Sequence, residues 1–156
     1  MPLVNSDFRI EKERLPVTVV TVSGERLSGD MFVQGYVRHR PGREHAIDVL
    51  NAPEPYFPLV LPGESTLLVA KHGVRDVAVP EPEDVPTDIT ARPMTIEVVV
   101  AGGEVFLGEV RLEVPYERPR LLDYLNRLQQ QFVALHTADG IRLVNCRLIE
   151  RVRPLD

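Results

Sequence analysis

At 156 residues, 44% of them hydrophobic, with a single cysteine and a net charge of −5, the chain is long enough for one ordinary domain or two small ones. An internal disulfide framework is excluded, because Cys146 is the only cysteine, and so is a membrane helix, because no apolar run nears the ~20 residues one requires. Also excluded is a chain-wide basic field of the kind that drives non-specific nucleic-acid binding. Residues 14–80 balance seven basic against seven acidic side chains, residues 81–92 carry a net −3, and residues 93–156 set eight arginines against nine acids.

In chain order, residues 1–13 form an N-terminal segment without the basic start and apolar core of a targeting sequence, so cytoplasm is the expected compartment. Val17 to Val22 is β-rich, Ser23-Gly24 interrupts it, and Arg26 to Val33 resumes it, which predicts a hairpin. Gly29 falls inside the second strand, where glycine marks a bulge or sharp bend. Arg43 to Asn51 has room for at most two helical turns, because Pro53 and Pro55 forbid continuation. Short strands are expected at Leu59–Leu61, Leu67–Lys71 and Val74–Val79. Residues 81–92 then read as an acidic, proline-rich linker.

Thr95 to Val100, Ala101-Gly102-Gly103 and Val105 to Val114 repeat the hairpin signature, with Gly108 inside the second strand. Pro119 followed by Leu121, Leu122, Leu125, Leu128 and Phe132 along one stripe predicts a helix over 119–130. Phe132–Thr137, Ile141–Cys146 and Leu148–Val152 read as the closing strands, with Asp139-Gly140 as a turn.

The two series match position by position. Gly24, Glu25 and Gly29 return as Gly103, Glu104 and Gly108, an offset of 103 − 24 = 79; Asp48, Leu50, Asn51, Phe57, Leu68 and Val77 return as Asp123, Leu125, Asn126, Phe132, Leu143 and Val152, an offset of 123 − 48 = 75. Duplication is the expectation, with small modules at 14–80 and 93–156 that pack on each other or on a second chain, since units of this size are marginal alone.

The pattern Val17-x-Val19-x-x-Val22-x-Gly24-x-x-Leu27-x-Gly29, with Val69-x-Lys71-His72-x-Val74-x-x-Val77, resembles the two motifs of the Sm-like family, and within it the bacterial RNA chaperone Hfq. The resemblance covers about thirty residues of the first module. It implies a mainly β fold of two Sm-like or SH3-like small barrels in tandem, to which the residue pattern itself adds a short helix between the second and third strands of each. It also implies an RNA-contacting role for Lys71 and His72. Three features depart from Hfq: the helix sits between strands two and three instead of before strand one, Cys146-Arg147 stands where Lys71-His72 would recur, and no module is net basic.

Two groups of residues could carry recognition. Tyr36, Arg38, Arg40 and Arg43 form an arginine loop with one aromatic, the minimum equipment for single-stranded nucleic acid or a nucleotide phosphate. A structural alternative is that arginines in both modules pair with Asp48 and Asp123 near the helix starts. Lys71 and His72 form the second group, with exposed turn residues as their plain alternative. His39, His45 and Asp48 have loose ligand spacing without a fourth ligand, so no metal is expected. Nor do the residues form a nucleophile elbow, a phosphate-cradling glycine loop or a paired-carboxylate site. The leading expectation is therefore a non-enzymatic interaction or assembly module without a cofactor, partnered by another protein or by itself and not by a membrane. The alternative is an RNA-binding protein using Lys71-His72 and the loop 38–43.

Overall fold

Apolar and polar residues alternate from Arg14 to Val19, and this makes a strand with one core face. Strand β1 (Lys12–Thr21) accordingly buries Leu15, Val17 and Val19 and leaves Arg14 and Pro16 exposed. The computed structural model describes residues 12–35, 42–80, 92–112 and 121–155. β1 begins at Lys12 and not at Val17, because it pairs with β2 (Arg26–Gln34) along its whole length, from Lys12 opposite Gln34 to Val20 opposite Arg26. Gly24 closes the hairpin at φ +90°, with its N–H on the Thr21 carbonyl at 2.9 Å.

The remaining elements are helix α1 (Ala46–Asn51), strands β3 (Tyr56–Val60), β4 (Thr66–Ala70) and β5 (Val74–Val79), then β6 (Arg92–Val100) and β7 (Val105–Leu112). Helix α2 (Leu121–Arg127) and strands β8 (Phe132–Thr137), β9 (Gly140–Asn145) and β10 (Ile149–Pro154) follow. The fold is mainly β. All ten strands of the described residues join one unclosed antiparallel sheet in the order β10-β6-β7-β8-β9-β5-β1-β2-β3-β4. The sheet is therefore shared by the two halves, a question that the residue pattern leaves open.

Pairing in the second half follows pairing in the first at fixed displacements. Val19 opposite Leu27 becomes Val98 opposite Phe106, and Val19 opposite Val77 becomes Val98 opposite Val152. Asp30 opposite Val60 becomes Glu109 opposite His136. Even the irregularity recurs, since Thr21 pairs Val74 and Val100 pairs Ile149 just past a register shift in each half. One detail corrects the alignment by sequence. Tyr56 lies opposite Ala70 as Phe132 lies opposite Asn145, so Phe132 corresponds in register to Tyr56 and not to Phe57.

The two strand glycines have one physical reason. A Cβ at Gly29 would stand 2.5 Å from the Val60 carbonyl oxygen, and a Cβ at Gly108 would stand 2.6 Å from that of His136. The third strand of each half crosses the second too closely there for any side chain.

The helices depart from expectation in an informative way. α1 has the two-turn limit set by Pro53, and it buries Ala46 and Leu50. α2 is shorter than 119–130: it ends at Arg127, residues 119–120 lie outside the described segments, and none of its residues is buried although Leu121, Leu122 and Leu125 share a stripe. The linker over 81–91 likewise lies outside the described residues, while Arg92, assigned to it by composition, begins β6.

Candidate assembly interface between the two halves

Strand β5 is buried on both faces, at Val74, Arg75, Asp76, Val77 and Val79. It lies inside the sheet, with a paired strand at each of its edges. One neighbour is β1; the other is β9 of the second half, with Asp76 opposite Val144, Val77 opposite Leu143, Ala78 opposite Arg142 and Val79 opposite Ile141. Gly140 makes the approach possible, because a Cβ there would lie 2.5 Å from the Val79 carbonyl oxygen.

An ionic cluster sits on this seam. The Asp76 carboxylate is wholly buried and accepts hydrogen bonds from Arg75 Nε at 2.9 Å and Arg142 Nη1 at 2.8 Å. Arg75 also pairs with Glu104 on the β6–β7 turn, and the Arg142 guanidinium lies 4.4 Å from the centre of the Phe106 ring. Burial works against the charge of Arg75; the hydrogen bonds and charges of Asp76 and Glu104 more than offset it, so its pKa lies above the ordinary arginine value. Asn145 Nδ2 donates to the Val74 carbonyl at 2.8 Å. The Asn51 amide, at the end of α1, bridges both backbone groups of Phe132, accepting from its N–H at 2.8 Å and donating to its carbonyl at 3.1 Å.

Packing follows the same seam. The core of the first half, built on Leu15, Val17, Met31, Leu50, Leu59 and Val77, also takes in Phe132, Ile141 and Leu143 from the second half. The core of the second half, built on Ile96, Val98, Val100, Phe106, Val110 and Leu112, takes in no residue of the first.

The residues singled out by sequence are placed differently from one another. Tyr36, Arg38 and Arg40, and His39 with them, lie outside the described residues. Arg43 is half-buried and donates to the Glu44 carbonyl at 3.0 Å. Lys71 is buried, and its Nζ donates to the carbonyls of Val49 at 2.6 Å and Ala52 at 3.0 Å, the last turn of α1. Burial lowers its pKa from the usual lysine value, against a smaller opposing effect of Glu54. Here the lysine holds a helix end. His72, the next residue, is exposed on the 3-10 turn Lys71–Gly73. The structure thus separates the Lys-His pair into a buried tie and an exposed ring. Asp48, weighed as an arginine partner, accepts from the His45 backbone N–H at 3.0 Å at the start of α1.

Sequence reading missed Asp76, Arg142, Asn51 and Asn145. Asp76 did leave a signal, since a carboxylate inside the apolar strand Val74–Val79 requires a buried cation. Burial raises the pKa of the Cys146 thiol. Among the described residues no three His, Cys, Asp or Glu side chains come together as a metal site, and no helix is long and apolar enough to cross a membrane.

Comparison with protein-family models, with curated proteins and with solved structures returned no match for this chain.

Proposed function

We propose that this chain is a non-enzymatic assembly module, built from two Sm-like or SH3-like small barrels over 14–80 and 93–156. The repeated five-strand pairing supports the small-barrel reading. What carries the functional reading is the seam itself: the most elaborated polar arrangement in the described residues joins one half to the other, with Asp76, Arg75, Arg142 and two asparagines serving adhesion. A sheet of this kind also ends in two strands, β4 and β10, that among the described residues have a neighbour on one side only. Such edges template further strand pairing.

The rival reading is RNA binding through Tyr36, Arg38, Arg40, Arg43, Lys71 and His72. Of the three that the structure describes, Arg43 and Lys71 donate to backbone carbonyls. Light scattering across a concentration series, beside fluorescence anisotropy with labelled single-stranded RNA at low salt, separates the readings. The assembly reading predicts a molar mass that rises above the 17.6 kDa of one chain and no salt-dependent RNA binding. A constant mass of one chain, with RNA binding lost in Arg40→Ala, would replace it by the rival.

A further inference from the structure

The seam between the halves is used once within the chain, and both of its complementary surfaces exist a second time. By register, β4 corresponds to β9 and β10 to β5, the former from Val69 and Val144, the latter from Val77 and Val152. Within the chain, β9 meets β5. The remaining pair, β4 and β10, lies at opposite ends of the sheet.

Exposure follows this division. Leu143 is 2% exposed on β9, whereas its counterpart Leu68 on β4 is 74% exposed. Phe132 is fully buried under α1, whereas its counterpart in register, Tyr56, is 55% exposed. On the other surface, Leu50 and Asn51 of α1 engage the second half, while their counterparts on α2 engage nothing comparable among the described residues: Leu125 is only half-buried and Asn126 is exposed. Beneath α2 lies a small apolar crevice at the surface of the second core, lined by Tyr124, Leu125, Val133, Ile149 and Val152. The matching space beneath α1, against Leu50, Val74 and Val77, is where Phe132 and Leu143 pack.

We propose that the occupant of both surfaces is a second copy of this chain, bound head to tail, with β4 of one copy adding to β10 of the next in the register of the internal seam. That register sets Leu68 opposite Val152 and Val69 opposite Arg151, places Tyr56 over the crevice under α2, and brings Asn126 to the backbone of Tyr56 as Asn51 is brought to Phe132. The ionic centre is not repeated, since Arg151 stands where Asp76 would and Leu67 where Arg142 would. The joint between copies therefore rests on strand hydrogen bonds and apolar burial, and it is weaker and more reversible than the internal one. A heterologous joint of this kind propagates into a ring or an open filament.

This inference rests on the assembly reading, and two measurements keep their failures apart. Light scattering on the full chain reports association as such. Leu68→Asp changes a side chain already in solvent, so the chain folds, and association is expected to weaken by about tenfold or more. Directly opposed residues in an antiparallel pair lie about 4.5–5.5 Å apart, within disulfide reach. In a Cys146→Ser background, Leu68→Cys mixed with Val152→Cys under mild oxidation is expected to give a crosslinked pair of unlike chains, which Leu67→Cys with Val152→Cys forms far less. Association that persists in Leu68→Asp without the crosslink overturns the inference and leaves the assembly reading in place. A single-chain mass at every concentration overturns the inference together with self-assembly.

Discussion

Leu143 and Leu68 hold the same place in corresponding strands, and so do Phe132 and Tyr56 by register; the first of each pair is buried and the second is exposed. The first half of the molecule has its β5 edge and its helix covered by the second, and three residues of the second half complete its core. For its own β10 edge and its own helix the second half receives no such cover among the described residues. Near-identical strand pairing thus yields one finished unit and one unfinished unit. What differs is context, and context is what a repeated sequence cannot display.

The largest effect is expected at the seam. Asp76→Ala leaves Arg75 and Arg142 facing each other without their shared carboxylate, and loss of one member of a buried ionic cluster costs about 3–5 kcal/mol; urea unfolding measures it. Glu150→Ala or Arg151→Ala, at the corresponding exposed positions on β10, should change stability by less than about 0.5 kcal/mol. Next come the crossing glycines. Gly29→Ala and Gly108→Ala each press a methyl against a carbonyl and should each destabilise by about 1–3 kcal/mol. Similar losses sharpen the equivalence of the halves; a loss at one site only breaks it.

Lys71→Ala removes the donor from two carbonyls of α1 and should cost about 1–3 kcal/mol. Arg147→Ala, in the second half's counterpart turn, should cost little, because there the contact is made by the backbone N–H of Arg147 to Asn145 Oδ1. Thermal melts of the two variants distinguish them. The smallest effect concerns His136 on β8, whose pKa is lowered by burial and by Arg111, against Glu109. A lowered histidine pKa means that the unfolded chain binds the proton more readily. Its contribution is therefore fully present above about pH 6.5 and is lost as pH falls below that value. Replacing His136 by Gln should flatten that part of the stability profile.

Much of the local order is legible in residue types. Valine-rich runs around Gly24 and Gly103 give the hairpins and Pro53 sets the length of α1, whereas Gly29 and Gly108, which suggest a bulge or sharp bend, prove to be needed for the close approach of a third strand, with the ladder unshifted at both. The seam is not legible, because pairing of Val77 with Leu143 depends on two distant strands with no local signature. Lys71 misleads for a related reason. In sequence it is a basic residue in a turn, and only the folded chain shows its ammonium group directed at the end of α1. The α2 stripe, Leu121 with Leu122 and Leu125, suggests a buried face; in the structure Leu121 packs on the second core and Leu125 is half-buried, while Leu122 is exposed.

The unequal completion of the two halves is tested most directly by residue-resolved amide hydrogen exchange at two concentrations. In dilute solution the amides of α1, around Leu50 and Asn51, should exchange much more slowly than those of α2, around Leu125 and Asn126, and the α2 amides should gain protection as concentration rises. Equal protection of the two helices in dilute solution, unchanged on concentrating, would contradict the account.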